Sequence, residues 1–268
     1  MKKISFMLLM VVFFVSCKKD GAIIEEKKTE EMTTTTGVIS VKKSNSASTA
    51  ATTISFSGYT WEVKTPTGTQ GPHNNYWSGS NVWVDSSGRL HLRVRKNPAN
   101  NRWECAEVKS TTSFGYGTYQ WKVIGALDQL DKNIVLGFFN YSGNSGHDEM
   151  DVEFSRWGYP NANMLNYSIW PKTGDNIPYV TYNTPLSLTG TWTTHRFKRT
   201  STSVEFKSLH GFQDGNTNLF ASKTWNTPTS ISTLSMPVHM NLWLFNTLPP
   251  SNGQELEIIV QEFKFTPL

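Results

Sequence analysis

The segment that most constrains this chain covers residues 147–154 and reads HDEMDVEF. In a β-strand, successive side chains alternate between the two faces of the sheet. Glu149, Asp151 and Glu153 therefore share one face, and the apolar residues between them share the other. Three neighbouring carboxylates repel one another, so at least one of them has to keep its proton. The segment predicts a strand with one core face and one chemically unusual acidic face.

Paired carboxylates are the groups that retaining glycoside hydrolysis uses, one as nucleophile and one as general acid. Along a strand, the Cα atoms of Glu149 and Glu153 lie about 13 Å apart, because each residue adds about 3.3 Å. Their side chains can lean together over Asp151, which can share a proton with either and separate their pKa values. A solvated polar strand face is the plain alternative. The uninterrupted E-x-D-x-E pattern favours catalysis over it.

The composition sets the scale of the fold and excludes one class of partner. The chain has 268 residues, of which 13% are aromatic and 17% charged, and this length suits one all-β domain with a large core. The formal net charge of +4 comes partly from lysines near the amino end, and no basic patch interleaved with aromatic residues occurs. We therefore expect no nucleic-acid partner, and we expect a monomer.

The amino-terminal residues 1–17 are typical of a lipoprotein signal peptide. Two lysines precede an apolar run, residues 4–15, which is too short to span a bilayer. Ser16 and Cys17 end this segment, and they resemble the lipobox of bacterial lipoproteins. We expect an exported protein whose only membrane attachment is an acylated Cys17, anchored in the outer membrane on its periplasmic or cell-surface side. An ordinary secretory signal with an incidental cysteine is the alternative.

The remaining chain divides by composition into a tether and a folded region. Residues 18–53 are rich in Ser, Thr and Lys, have no apolar period, and predict a flexible tether. Residues 54–268 consist of short runs of period two separated by Gly, Pro and Asn turns. This pattern predicts an all-β, two-sheet antiparallel jelly-roll sandwich. Cys105 is the only cysteine of this region, so we expect no disulfide there.

Four motifs carry a family resemblance. They are residues 105–110 (CAEVKS), 114–119 (FGYGTY), 149–154 (EMDVEF) and 240–243 (MNLW). In order and spacing they resemble glycoside hydrolase family 16, and the similarity runs from about residue 57 to residue 266. The nearest resemblance is to the bacterial lichenase-like endo-β-glucanases, which cut mixed-linkage β-1,3-1,4-glucan.

The resemblance implies a concanavalin-like jelly roll with an open cleft across its concave face. It implies Glu149 as nucleophile, Glu153 as general acid/base and Asp151 as the assisting carboxylate. The family also has a bulged motif with one extra residue before the second Glu, typical of laminarinase-like enzymes. This chain has the unbulged form, which points away from pure β-1,3-glucan. No cofactor is implied; a structural Ca²⁺ is common in the family, but no local ligand motif places one here.

The resemblance also implies substrate-binding roles for nine further positions. Lys109 stands where lichenases have Arg, so a bidentate contact is lost there. His147 departs from the family pattern, close to where lichenases have a Trp; it could tune the acid/base or hydrogen-bond the substrate, or be only a solvent-facing loop residue. Glu107 could instead be a buried structural acid, and Trp243 could instead be a core residue. The full set is Asn75, Trp77, Glu107, Lys109, Tyr141, His147, Asn166, Tyr167 and Trp243.

The sequence as a whole predicts a retaining, endo-acting hydrolase of β-linked glucan whose partner is a polysaccharide. Two alternatives stay open. The same scaffold could act on laminarin, xyloglucan or an agar- or carrageenan-like galactan, or could transfer rather than hydrolyse. A jelly roll could also be a non-catalytic glycan-binding module, although a pure binder has no need of three crowded acids.

Overall fold

A computed structural model describes residues 51–226 and 230–268 of the chain, which fall in one compact unit, Thr49–Leu268. The predicted signal peptide, and the predicted tether up to residue 50, lie outside the described residues. Over the described part, no helix is long and apolar enough to cross a membrane.

The described chain is built of seventeen strands. Three short 3₁₀ helices, Gly79–Asn81, Leu127–Gln129 and Phe245–Thr247, lie between them. The strands are β1 Thr53–Phe56, β2 Tyr59–Val63, β3 Thr69–Gln70, β4 Asn75–Trp77, β5 Val82–Val84, β6 Leu90–Asn97, β7 Arg102–Phe114, β8 Gly117–Ile124, β9 Ile134–Tyr141, β10 Glu149–Ser155, β11 Leu165–Trp170, β12 Val180–Thr184, β13 Trp192–Arg199, β14 Ser203–His210, β15 Leu219–Asn226, β16 Met236–Leu244 and β17 Leu256–Pro267.

The strands form two main sheets. The first sheet has the order β1-β2-β7-β16-β9-β10-β11-β12. The second has the order β5-β6-β17-β8-β13-β14-β15. All these pairs are antiparallel, and the end of β6 pairs with the start of β7 to join the sheets at one corner. The prediction of an all-β, two-sheet antiparallel sandwich is confirmed.

The core lies between the facing sides of the two sheets. From β10 it receives Met150, Val152 and Phe154, all fully buried as the period-two pattern predicts. Phe138 of β9 stacks on Trp121 of β8, with ring centroids 5.5 Å apart across the sandwich. Burying each such large side chain stabilises the fold by about 1.5–3 kcal/mol. The same strands consequently turn their other side chains outward, and on the first sheet this outer side carries the acidic residues.

Candidate active site

A cleft of about 690 Å³ crosses the outer face of the first sheet. Its floor comes from alternate residues of six neighbouring strands, because every second side chain points to this face. The floor residues are Glu62 of β2, Glu107 and Lys109 of β7, His239, Asn241 and Trp243 of β16, Phe139 and Tyr141 of β9, Glu149, Asp151 and Glu153 of β10, and Trp170 of β11. Lys64, residues 70–72, residues 145–146 and Trp157 add to its walls.

The three predicted carboxylates lie together on the cleft floor. The register of β10 against β9 runs without a break from Glu149–Tyr141 to Ser155–Val135. The register against β11 is equally regular. Strand β10 therefore has no bulge, and the unbulged motif predicted from the sequence is confirmed. Asp151 is almost fully buried between its two neighbours, whereas both glutamates are partly exposed.

Asp148, the residue before β10, fixes the position at which the strand begins. This residue adopts a left-handed φ of 53°, a conformation that Asp tolerates better than most residues. Its backbone carbonyl accepts a hydrogen bond from Ser142, and its backbone N–H donates to the carbonyl of Pro171. The Asp148 carboxylate accepts hydrogen bonds from the backbone and hydroxyl of Thr173. These bonds fasten the start of β10 to the end of β9 and the end of β11.

Crowding and burial keep protons on the acidic cluster. Burial, followed by the charge of Glu153, raises the pKa of Glu149 to about 8 from its usual 4.5. Burial and then the charge of Glu149 raise the pKa of Asp151 well above its usual range, and a hydrogen bond between these two carboxyls acts in the same direction on Asp151. Burial and the charge of Asp151 raise the pKa of Glu153. Asp151 thus shares a proton with Glu149, and all three carboxyls keep their protons to a higher pH than ordinary carboxyls do.

Two aromatic side chains flank the cluster. The indole N–H of Trp170 donates to Oδ2 of Asp151 over 3.0 Å. Tyr141 lies opposite Glu149 in the register and lines the cleft, as predicted for a substrate-binding residue. Burial and then the nearby Glu149 charge raise the pKa of the Tyr141 phenol, so it stays a hydrogen-bond donor at neutral pH.

A row of charged groups lies on the side of the cleft away from the acidic cluster. Glu107 is buried; it receives a hydrogen bond from Nζ of Lys64 at 2.7 Å and contacts Nδ1 of His239 at 3.0 Å. Although burial pushes its pKa up, these two partners bring the pKa of Glu107 below its ordinary value. The neighbouring Lys109 is half-exposed and pairs with Glu62 at 2.7 Å. Both predicted residues of β7 thus line the cleft.

The remaining floor is aromatic and amide. Trp243 is nearly buried at the cleft, 5.6 Å from the ring of His73 and 6.5 Å from that of Trp157. Beside it, Oδ1 of Asn241 is buried with no hydrogen-bond partner among the described residues. Gly137 pairs with both Asn241 and Glu153. Because it has no side chain, there is room for the Asn241 oxygen above it. The Trp243 ring beside the acids suits the apolar face of a sugar ring, while the Asn241 oxygen is covered within the floor.

Two predicted substrate-binding residues on β11 have other roles. Asn166 is buried beneath the cleft, where its Oδ1 accepts hydrogen bonds from Nε1 of Trp157 and from Asn183. It therefore orients a cleft residue rather than lining the cleft. Tyr167 points to the core, fully buried, with its hydroxyl 2.6 Å from Oγ of Ser208. The prediction for Tyr167 is contradicted, because neighbours in a strand face opposite sides.

The residues predicted near the amino end also lie behind the cleft. Asn75 is buried and donates to the carbonyls of Pro72 and Leu244. Trp77 donates its indole N–H to Gln70, and Nζ of Lys64 lies 3.9 Å from its ring centroid. Asn75 thus supports the loop that contributes Gln70, Gly71 and Pro72 to the cleft, and Trp77 supports the side chain of Lys64.

His147 and Cys105 do not line the cleft. His147 lies in the loop between β9 and β10, and its Nδ1 is 3.4 Å from the carbonyl of Ser145. Ser145 and Gly146, rather than the histidine, form the cleft rim. Cys105 is a fully buried free thiol whose Sγ lies 3.5 Å from Oδ1 of Asn75. Burial raises the pKa of this thiol to about 12, so it stays protonated and unreactive.

Sequence reasoning missed several cleft residues. His239, Asn241 and Trp243 are alternate residues of one strand. Because Trp243 was expected to line the cleft, the same alternation that places the acids of β10 on one face also places His239 on the cleft side. Lys64 and Trp170 carried no such local signal. Their places depend on long-range pairing, with Lys64 beside Glu107 and Trp170 opposite Glu149.

A metal site is not evident at the cleft or elsewhere in the described parts of the chain. Within residues 51–226 and 230–268, no group of three or more His, Cys, Asp or Glu residues could hold a metal ion. The expectation of no cofactor, with a structural Ca²⁺ common in the resembling family but not placed here, stays a prediction.

Known proteins share this fold. The chain is 33% identical over 102 residues to a beta-glucanase of Paenibacillus polymyxa, a match that covers 37% of this chain and 41% of that relative. The match therefore spans about two fifths of the relative's length. No family model matches the chain. The solved Bacillus licheniformis beta-glucanase superimposes with a TM-score of 0.58 at 21% identity, covering 78% of this chain and 92% of the other. The fold is that of beta-glucanases.

A second solved structure supports this assignment of the beta-glucanase fold. It is a prokaryotic beta-1,3-1,4-glucanase (lichenase) derived from a mouse hindgut metagenome, with a TM-score of 0.56 at 18% identity. That superposition covers 78% of this chain and 93% of the lichenase. The superpositions therefore extend over most of the described residues, whereas the sequence match does not.

Proposed function

We propose that the chain is a member of glycoside hydrolase family 16 that cleaves internal linkages of a β-glucan with retention of anomeric configuration. The observation that carries this proposal is the unbroken strand β10, which brings three carboxylates side by side onto the floor of an open cleft. An open cleft, unlike a closed pocket, admits the middle of a long polymer. The beta-glucanase relatives support the same activity.

In the proposed reaction, Glu149 is the nucleophile and Glu153 the general acid. The Glu149 carboxylate attacks the anomeric carbon while Glu153 gives its proton to the departing glycosidic oxygen, so the glycosidic bond breaks as a glycosyl ester forms. Glu153, now ionised, then takes a proton from water. The water oxygen attacks the anomeric carbon, and the bond between that carbon and the Glu149 oxygen breaks, which frees the Glu149 carboxylate.

Asp151 is proposed to control the charge of the nucleophile. Its proton, held by burial and by Glu149, makes a hydrogen bond to Glu149, whose pKa of about 8 leaves a minority of molecules with an ionised nucleophile near neutral pH. The raised pKa of Glu153 keeps its carboxyl protonated, as a general acid requires near neutral pH. Different environments thus separate the roles of similar carboxylates.

The charges of the cleft favour a neutral polymer over a sulfated one. Each lysine that lines the cleft in the described part of the chain is paired with a carboxylate there: Lys64 with Glu107, and Lys109 with Glu62. A carrageenan-like substrate needs unpaired cations to receive its sulfates, whereas a glucan needs hydrogen-bonding groups and aromatic rings. The unbulged strand further favours mixed-linkage β-1,3-1,4-glucan over laminarin.

Trapping with azide would test the assignment of roles. Glu149→Ala and Glu153→Ala variants are assayed on an activated mixed-linkage glucan oligosaccharide with and without sodium azide. With the nucleophile removed, azide enters from the opposite face and gives an α-glycosyl azide. With the acid/base removed, azide attacks the glycosyl-enzyme and gives the β-azide. Exchanged anomers would reverse the two roles, and a wild-type protein that binds glucan without turnover would establish a binding module.

The cellular location is a separate proposal. Lysines before an apolar run and Ser16 before Cys17 support export and acylation of Cys17, and hence an outer-membrane lipoprotein. Metabolic labelling with a palmitate analogue should mark the wild-type chain and leave Cys17→Ser unlabelled. Labelling of both would refute acylation at this cysteine. Size-exclusion chromatography of the released domain is expected to show a monomer.

A further inference from the structure

We infer that His239 is a substrate-positioning residue, whose Nε2 atom bonds a hydroxyl group of the sugar chain on the Glu107 side of the cleft. This inference rests on the proposed function and assigns a binding role that the sequence motifs do not mark. The residue touches no part of the acidic cluster, so its effect is on substrate binding.

The imidazole ring of His239 is held from two sides. Its Nδ1 lies 3.0 Å from Oε1 of Glu107, and its ring stacks on Phe139 with centroids 4.9 Å apart and planes 16° apart. Both contacts come from neighbouring strands, since His239 pairs with Lys109 of β7 and Phe139 of β9. A ring fixed by a hydrogen bond and a stacking contact is preorganised, which lowers the entropy lost on binding.

The partner of Nδ1 decides which ring atom is free. A carboxylate is a pure acceptor, so Nδ1 carries a hydrogen and donates it to Glu107. In the neutral ring, Nε2 is then an acceptor for a sugar hydroxyl. Within the described ranges no hydrogen bond reaches Nε2, while the ring lines the cleft.

The side chain of Glu107 is itself held in place, so its hydrogen bond keeps the His239 ring in one orientation. Lys64 donates to Oε2 of Glu107 at 2.7 Å and to the carbonyl of Gly71 at 2.6 Å. Lys64, Glu107 and His239 therefore form a row that runs from the end of β2 across β7 to β16, where His239 stacks on Phe139 of β9. The other charged or titratable groups that line the cleft are Glu62, Lys109, Tyr141, Glu149, Asp151 and Glu153.

The place of His239 relative to the acids fits binding rather than bond cleavage. Phe139 pairs with both His239 and Asp151, so two strand spacings, about 9–10 Å, separate the backbone of His239 from that of the acidic strand. Proton transfer needs contact within about 3 Å or through one water. A hydroxyl bound by His239 therefore belongs to a part of the substrate away from the bond that breaks.

Two substitutions of His239 distinguish the roles of its two ring nitrogens. His239→Asn keeps a donor near the position of Nδ1 and loses Nε2, whereas His239→Gln brings an amide near the position of Nε2. On soluble mixed-linkage β-glucan, His239→Asn should raise KM about three- to tenfold, the size of one hydrogen bond, with kcat changed less than about twofold. His239→Gln should recover part of this loss. His210→Gln, a matched change at the far end of β14 in the second sheet, should leave KM unchanged.

A binding measurement separates failure of the inference from failure of the proposed function. Calorimetry measures the affinity of Glu149→Gln and of the double variant Glu149→Gln/His239→Asn for a mixed-linkage glucan oligosaccharide. This measurement needs no turnover. Three- to tenfold weaker binding by the double variant supports the role of His239, even where the wild type proves inactive. Equal affinities overturn that role while leaving hydrolysis intact. Absence of both binding and turnover in the wild type overturns the proposed function and this inference together.

Discussion

Trp170 donates its indole N–H to Oδ2 of Asp151 at 3.0 Å, from the strand next to the acids. The Trp170 ring is held in place by stacking on Tyr179, with centroids 4.2 Å apart and planes 16° apart. Asp151 also makes a hydrogen bond to Glu149. The carboxyl of Asp151 is thus held between the Trp170 indole and the proposed nucleophile.

Loss of this indole donor should impair turnover. In Trp170→Phe the ring remains but Oδ2 of the buried Asp151 loses its partner, at a cost of about 1–3 kcal/mol. We expect kcat on mixed-linkage glucan to fall about tenfold or more, since 1.36 kcal/mol on the barrier is tenfold in rate. Trp192→Phe is the matched control, because that tryptophan is 57% exposed on the second sheet. Equal losses in both variants would contradict a specific role for the Trp170–Asp151 bond.

Gly137 should not tolerate a side chain. A Cβ built on it would lie 2.6 Å from Oδ1 of Asn241, closer than real contacts allow, and Asn241 lines the cleft floor. Gly137→Ala should displace Asn241 and lower kcat/KM about tenfold or more, with a loss of stability of about 1–3 kcal/mol from overpacking. Steady-state kinetics and thermal melts would measure both effects.

Gly190→Ala provides the comparison for this substitution. A Cβ at Gly190 has no neighbour within 4 Å, so that variant should match the wild type in activity. If Gly137→Ala were fully active, Asn241 would have room to move without consequence for the substrate. The proposed function of the cleft floor at this point would then be wrong.

The sequence predicted the centre of the fold better than its edges. In β6, Leu90, Leu92 and Val94 are fully buried as the alternation indicates. β15 shows the opposite: its eight residues are all exposed or half-buried, and it lies at the edge of its sheet. An edge strand is paired on one side only and needs no regular apolar face, so its sequence carries little periodic signal.

The candidate site divides in the same way. Glu149, Asp151 and Glu153 share one strand, so local alternation was enough to place them on one face. The family resemblance implied substrate-binding roles for both Asn166 and Tyr167. Because neighbouring residues of a strand face opposite sides, only one of them can face the cleft side, and the register of β11 against β10 decides which one. That register, Glu153 opposite Asn166, is a long-range property. Local sequence does not encode it.

Asn166 should be needed for stability and for substrate binding together. Its Nδ2 donates to the carbonyls of Ser155 and Met164 at 3.0 Å, and its Oδ1 accepts from Trp157 at 3.2 Å. Asn166→Ala leaves these buried groups unpaired, so we expect a loss of about 2–4 kcal/mol in the free energy of unfolding. Because Trp157 lines the cleft, KM should also rise. Chemical denaturation and kinetics measure the two effects.

The exposed Asn161 offers a control for this change. Asn161→Ala is expected to lie within about 0.5 kcal/mol of the wild type. A rise in KM for Asn166→Ala without loss of stability would point to direct substrate contact by Asn166. That result would restore the role that the sequence predicted and the structure does not support.

The acidic cluster should destabilise the protein as pH rises. Glu149 has a pKa of about 8 in the folded protein, against an ordinary value of 4.5, so between these values the folded state binds more protons than the unfolded state. Stability therefore falls with rising pH across this window and is unaffected by this group below it. A pKa shift of this size corresponds to a loss of about 4–5 kcal/mol in the free energy of unfolding across the window. Because solvent in the open cleft screens the charge, we expect a loss of about 1–2 kcal/mol.

Replacing the ionising group should remove this pH dependence. Glu149→Gln has no charge to develop, so its melting temperature should exceed that of the wild type at pH 8, and the difference should shrink towards pH 4.5. Glu205→Gln removes a carboxylate from the second sheet, outside the acidic cluster, and should not reproduce this trend. A melting-temperature difference that stays constant from pH 4.5 to 8 would show that Glu149 titrates normally. Burial and the charge of Glu153 would then not raise the pKa of the proposed nucleophile in the folded protein.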